Sequence, residues 1–279
     1  MPVGSRSASG RARPSVRHLV LMPLALLFLL PLEQMLLASF MTPAEINAYP
    51  PTIIPSRLQL DGYIKLFTEA PVLRWLGNSL AVVVIAVSAQ LVLCSLAGYG
   101  FARLRFRGRN VGFVMLLATI MIPTQLLMIP TYIIFAKVGW LDTLAAAFVP
   151  WLVSTFGIFL MRQFFLSVPV ELEEAARIDG AGTFRTFWGV ILPLARPALA
   201  TLAVFTLLGA WNDLLWPLIT ISNQDWYTIQ LGLASFQGQR RTDWSLLMAG
   251  NVVATLPLLV AFLVAQRQFV ATMTLTGMK

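Results

Sequence analysis

Six long apolar runs, set apart by short polar stretches, decide what this chain can fold into. They cover about residues 19–40, 75–102, 111–135, 143–161, 197–221 and 246–266. Roughly 20 helical residues cross the ~30 Å hydrocarbon layer of a bilayer. Lipid offers the backbone no hydrogen-bond partner, so a spanning segment must satisfy its own amides, as a helix does. The expected fold class is therefore an all-α polytopic membrane protein with six transmembrane helices in a lipid bilayer. Composition agrees: 58% of the residues are hydrophobic and 11% charged, where a soluble domain carries about 25% charged residues.

The net charge of +8 invites a nucleic-acid reading, but the charges follow the runs. With the N-terminus inside, the inner segments hold Arg6, Arg11, Arg13, Arg17, then Arg103, Arg105, Arg107, Arg109, then Arg162, Arg177, Arg185, Arg196, then Arg267 and Lys279. That is fourteen of the twenty basic residues. The outer loops hold the other six: Arg57, Lys65, Arg74, Lys137, Arg240 and Arg241. Basic residues of short loops favour the cytoplasmic side, so both termini are expected there. The loop RLRFRGRNVG, Arg103–Gly112, is too short to offer a nucleic-acid surface, and no nucleic-acid partner is expected. Residues 1–18 read as a basic cytoplasmic tail, and 19–74 as a first span and an external loop with a short helix near Asp61–Glu69. Residues 75–270 form a five-helix core with a cytoplasmic loop at 162–196, and 271–279 a cytoplasmic tail.

The first run is longer than a signal-peptide core and has no clear small-residue cleavage site, so it reads as a retained span. Ser88, Gln90, Ser95, Gly98 and Gly100 in the second run suit close helix packing. Pro123 and Pro130 kink or break the third. The fifth run carries Trp211, Asn212 and Asp213. Asp213 is the deepest acid of the chain, and a carboxylate at that depth has to face protein or water. Two readings stay open. Asn212 and Asp213 bind a hydroxylated solute, with Trp211 and Trp216 as an apolar face; or Asp213 pairs inside the bundle and Trp216 marks the outer interface.

Several chemistries drop out. Cys94 is the only cysteine and His18 the only histidine, which leaves no disulfide, no Cys/His metal cluster and no His-centred triad. A phosphate-cradling loop needs Gly-Lys followed by Ser or Thr, and Lys65, Lys137 and Lys279 each follow another residue. No cofactor, no metal and no catalytic residue are expected.

The stretch ELEEAARIDGAGTFRTFWGVILP, Glu171–Pro193, interrupts the apolar pattern. Pro169 suits a helix start, and Glu171, Glu173 and Glu174 suit the positive end of a helix dipole. The run EAARI favours helix. Gly180 or Gly182 closes it or makes a turn, and TFRTFWGVIL is a second helical run. From local pattern alone this is either an ordinary helix-turn-helix surface loop or a docking element.

The spacing Glu174-Ala175-Ala176, three residues, Gly180, nine residues, Val190, one residue, Leu192-Pro193 resembles the EAA motif of ABC importer permeases. Val190 departs mildly from the usual Ile. The fuller form, Glu171 through Asp179-Gly180-Ala181 to Leu192-Pro193, is similar to the MalG-like, carbohydrate-uptake branch. The segments GYGFARLRFRGR, WND…PLI and YT…LGL…F also resemble that branch, so the likeness spans about Asn78 to the C-terminus. It implies a type I ABC importer permease fold in the cell inner membrane. In that family the loop forms a coupling helix that fits a cleft in an ATPase subunit. The resemblance assigns this role to Glu171, Glu174, Ala175, Ala176, Arg177, Asp179, Gly180 and Arg185. It also implies the partners: a second related permease subunit, two ATPase subunits and an extracytoplasmic solute-binding protein, with a sugar or oligosaccharide as substrate. Alternatives are the same architecture importing a polyol or glycerol-phosphate-like solute, a stand-alone secondary transporter using Asp213 as its ion site, and a membrane scaffold.

Overall fold

The computed structural model describes residues 16–237 and 242–276. Most of the expected basic tail, together with Arg240, Arg241 and Lys279, lies outside them. The described residues are helical and form no sheet. Four helices are long and apolar enough to cross a membrane, and six spans result when two bent pairs each count as one.

Helix α1 (Val16–Ala38) stays a single helix across Pro23 and Pro31. It packs on the last helix of the chain, and no side chain of its apolar window, Leu21–Ala38, is buried. The external loop then makes α2 (Pro43–Ile46), closed by a capping box from Thr42 and Glu45, and α3 (Asp61–Glu69), at the place the sequence indicates.

The spine of the molecule is α4 (Val72–Arg103), 32 residues long. At 1.5 Å per residue that is about 48 Å, well beyond the ~30 Å that a span requires. Its far end therefore projects past the hydrocarbon and carries Arg103 with it. The third span breaks at Pro123. There α5 (Arg109–Ala118) and its 3₁₀ turn meet α6 (Thr124–Val138) at 101°. Pro130 lies inside α6 without ending it. Proline removes one backbone donor and clashes with the preceding turn, and only at Pro123 does the chain yield to this.

The fourth span is built from α7 (Leu144–Phe148), a 3₁₀ turn containing Pro150, and α8 (Thr155–Ser167). Ser154 caps α8 by accepting the Gly157 amide at 3.0 Å. The helix runs past Met161, so Arg162 and Gln163 belong to it rather than to the loop expected at 162–196. The Arg162 guanidinium lies 4.0 Å over the Phe113 ring, and its Nε donates to the Phe101 carbonyl at 3.2 Å. These contacts hold the charge against the bundle and let the helix continue.

Next come α9 (Glu171–Ile178), α10 (Thr183–Thr186), a π-helical turn over Phe187–Ile191, α11 (Leu192–Leu194) and α12 (Arg196–Trp211). The axis turns by 77° between the α10–α11 segment and α12. After a break at Asn212 the chain continues in α13 (Leu215–Thr220), the last part of the fifth apolar run. The chain ends in α14 (Ile229–Ala234) and α15 (Trp244–Thr276). That last helix continues through most of the stretch expected as a tail, residues 271–279.

Two buried clusters share α4. One gathers Leu66, Trp75, Trp211, Trp216 and Ile229 around its first half. The other gathers Cys94, Tyr99, Met161, Phe165, Phe187, Ile191 and Leu202 around its second half. Small residues let the helices approach. A Cβ on Gly98 would sit 2.8 Å from the Met161 Cβ and 2.9 Å from the Arg162 amide nitrogen, and one on Gly157 2.9 Å from the Cys94 Sγ. Membrane helices have no hydrophobic drive toward each other, so close van der Waals contact of this kind holds them together.

Candidate functional site

Two places carry polar chemistry: the α9 loop at one end of α4, and a cavity at its middle.

At the loop, three acids begin α9, where the helix dipole favours them. Only Glu173 turns inward and is buried. Its Oε1 lies 3.0 Å from the Arg103 Nε, off the line of a true hydrogen bond, and its Oε2 accepts from the Tyr99 hydroxyl at 3.3 Å. A second Arg103 nitrogen donates to the carbonyls of Phe165, at 2.7 Å, and Val168. Phe165 lies in the last turn of α8 and Val168 caps it, where helix carbonyls are short of backbone donors. One guanidinium thus ties the ends of α4 and α8 to the first turn of α9. Tyr99 is itself packed between Phe165 and Phe187, so the knot is seated in the second apolar cluster.

The outward face is open. Glu171, Glu174, Ala175, Arg177, Asp179, Gly180 and Arg185 are exposed, while Ala176 is buried. Gly180 follows the helix with φ +80°, a conformation cheap only for glycine, and the Ala181 amide returns to the Ala176 carbonyl at 2.9 Å. This closing turn carries Ile178 outward at 87% exposure, and Phe184 follows at 70%. Trp188, partly exposed, packs its ring 6.0 Å from Phe184. A folded, anchored loop with charged and apolar groups turned away from its own bundle has the makings of a protein-docking surface.

The cavity has a volume of about 390 Å³ and sits where the third and fourth spans break. Thr124, Gln125 and Thr131 come from α6, and Trp151, Val153 and Ser154 from the break before α8. Gln90 comes from α4, Asp213 from the break before α13, and Leu215 and Trp216 from the start of α13. Asp213 accepts from the Trp151 indole at 3.0 Å and from the Trp216 amide at 3.4 Å. Gln90 is buried; it donates to the Trp151 carbonyl at 2.8 Å and accepts from Thr206 at 2.9 Å. Backbone groups at the breaks before α8 and α13 thereby meet polar side chains, as irregular backbone at membrane depth requires.

The structure separates the sequence candidates. Asp213 lines the cavity. Trp211 does not: it is buried, and its indole donates to the Ala254 carbonyl at 3.2 Å, joining α12 to α15. Asn212 is exposed, donating to the Leu208 carbonyl at 2.8 Å and accepting from Gln230 at 3.4 Å. Glu171 and Glu174 make no ion pair among the described residues; Glu173 takes that part instead. Sequence reasoning counted Arg103 only as a sidedness charge and passed over Gln90, Gln125 and Trp151 as lining residues. The one available signal was that Arg103 ends an apolar run which already contains Tyr99.

Broken spans around a largely apolar cavity that carries a few polar groups mark the chain as an integral membrane protein of the transporter kind. Residues 90–274 match the family described as binding-protein-dependent transport system inner membrane component, and the chain belongs to that family. It is 36% identical to the arabinooligosaccharides transport system permease protein AraQ of Halalkalibacterium halodurans, over 92% of this chain and 93% of the relative. It is 34% identical to the sn-glycerol-3-phosphate transport system permease protein UgpE of Escherichia coli, over 87% and 89%. The diacetylchitobiose uptake system permease protein NgcG of Streptomyces coelicolor is 30% identical over 96% and 90%. In fold it is similar to a chain of a bacterial ABC transporter that imports the acidic polysaccharide alginate, with a TM-score of 0.79 at 24% identity over 96% of this chain and 99% of that one. The chain is thus the membrane component of an ABC importer and not its enzyme.

Proposed function

We propose that this chain is the permease subunit of an ATP-driven importer for a sugar or oligosaccharide, and that α9 is the helix through which a partner ATPase moves it. One observation carries the reading: α9 is bound to α4 and α8 by a buried ion pair on one face and left open on the other, with Ile178 fully out. Such a helix transmits force, because displacement of α9 moves the ends of α4 and α8 with it. The π turn and α11 pass the same displacement to α12, and rigid movement of these spans gives alternating access. Glu171, Glu174, Arg177, Asp179 and Arg185 surround the apolar contact with charge and set its register. The excess of basic residues in the loops on one side supports a cytoplasmic α9 and cytoplasmic termini, on the side where an ATPase would bind.

The cargo reading draws on the relatives, two of which are named for oligosaccharides. It also draws on the cavity, whose mix of amide, hydroxyl, carboxylate and indole suits a sugar's hydroxyls and apolar faces. A second related permease, two ATPase subunits and an extracytoplasmic binding protein complete the assembly.

The test is partner capture. The tagged chain is expressed with its neighbouring transport genes, purified gently, and compared with Ile178→Glu and Phe184→Asp. The expected result is an ATPase and a second permease with the parent, and loss of the ATPase alone with the variants. Solute uptake by the lone chain, with no ATPase retained, would overturn the reading.

A further inference from the structure

We propose that the cavity beside Asp213 is a charge filter, which accepts neutral, hydroxyl-rich or cationic solutes and rejects anions. This rests on the reading of that cavity as part of the cargo path. Among the described residues Asp213 is the only charged one of its lining, and no lysine or arginine borders it. A carboxylate has about four acceptor positions. Two of those on Asp213 are taken, by the Trp151 indole and the Trp216 amide, so acceptor capacity remains toward the open space.

The neighbouring donors are committed elsewhere. The Trp151 indole is spent on Asp213 itself, and the Trp216 indole donates to the Ala146 carbonyl at 2.9 Å. Gln90 has its amide bound to the Trp151 carbonyl and its oxygen to Thr206. Thr124, Gln125, Thr131 and Ser154 add neutral hydroxyl and amide groups to the wall; at Asp213 itself the wall accepts an O–H or N–H, and it holds no cation to match a phosphate or carboxylate. Leu127, Met128, Val153 and Leu215 complete an apolar surround, and low-dielectric walls focus the field of a single charge. A phosphorylated solute, the cargo class in the runner-up reading, meets that field at contact range, whereas a neutral oligosaccharide presents hydroxyl donors to it.

The experiment reads the potential directly and needs no knowledge of the cargo. Val153 borders the cavity and is 48% exposed, so Val153→Cys in the assembled transporter offers a thiol there. Cys94, the chain's only cysteine, is fully buried, and the parent serves as the blank. Labelling rates are taken for a cationic and an anionic methanethiosulfonate of similar size, each divided by its rate with a small free thiol. The expected ratio favours the cation by about tenfold or more. Asp213→Asn brings it close to one, and Asp213→Glu restores it. A ratio near one in the parent cavity, a ratio that survives Asp213→Asn, or a thiol that neither reagent reaches would each overturn the filter. Sugar uptake that persists when the Val153→Cys thiol is fully labelled would instead sink the cargo-path reading and leave the filter standing.

Discussion

Glu173 is the residue whose loss isolates a charge. Removing one partner of a buried ion pair leaves the other desolvated and costs about 3–5 kcal/mol. Arg103→Leu strands Glu173 and frees two α8 carbonyls together, so it is expected to fall at the upper end of that range. Glu173→Gln keeps a polar group of the same size and is expected to cost less than half as much. Thermal melting of the purified complex ranks the two, and equal melts would show that Arg103 acts only through Glu173. Glu45 makes a pH-dependent counterpart in the external loop. The Ser56 hydroxyl, the backbone amide of Thr42 and that of Ser56 bind its carboxylate and hold its pKa at about 2, below the ordinary 4.5. A lowered carboxyl pKa stabilises the fold in full above about 4.5, and that contribution fades as pH falls toward 2. Hydrogen exchange at the Ser56 amide, corrected for its intrinsic rate, should lose protection across that window in the parent and show no such step in Glu45→Gln. The three acids of α9 were legible as a helix start, but not which one turns inward. Glu171, Glu173 and Glu174 look alike in sequence, and the guanidinium that chooses among them lies 70 positions earlier.

Two glycines of α4 test what holds the helices together. Gly98 faces α8 so closely that a methyl group would press on Met161 and the Arg162 backbone, whereas Gly100 has nothing within 4 Å. Gly98→Ala is expected to destabilise by about 1–3 kcal/mol, the usual range for overpacking. Gly100→Ala is expected to be neutral or to stabilise by about 0.5–1 kcal/mol, since glycine in a helix interior is entropically costly. Detergent-melting curves of the two variants give the comparison, and similar losses at both sites would refute close packing as the reason for Gly98. Helix extents were legible where turn chemistry is local, as at α3, which begins and ends where its sequence indicates. They were not legible where tertiary contact overrides it. Arg162 looks like the start of a loop until Phe113 and the Phe101 carbonyl supply the partners that keep it in α8. Pro130 and Pro123 read alike in sequence, yet the helix breaks at the second and continues through the first.

On the scale of the whole molecule, the two clusters on α4 are joined at a narrow waist. Gln90 binds the Trp151 carbonyl at the fourth span's break and Thr206 of α12, and Trp151 in turn holds Asp213. The docking loop is tied to the far end of the same helix through Arg103 and Glu173. A displacement entering at α9 therefore has a continuous route of packed and hydrogen-bonded groups to the cavity, along one rigid helix. The six apolar runs made the bundle legible, and the loop motif pointed to where a partner would engage it. The route itself was hidden, because Gln90, Trp151, Thr206 and Asp213 come from separate runs and none resembles a site alone. If the waist carries the coupling, Gln90→Leu should break it without unmaking the bundle, since leucine fills nearly the same volume and leaves only the Trp151 carbonyl and the Thr206 hydroxyl without that partner. Thr206 still donates to the Leu202 carbonyl at 2.9 Å, so the cost in stability is expected to stay near 1–3 kcal/mol. The assembled complex should keep its ATPase, hydrolyse ATP without stimulation by cargo and binding protein, and lose most of its uptake. Uptake and stimulated hydrolysis measured together in proteoliposomes decide it: a variant that transports at the parental rate per ATP would show that force reaches the cavity by another path.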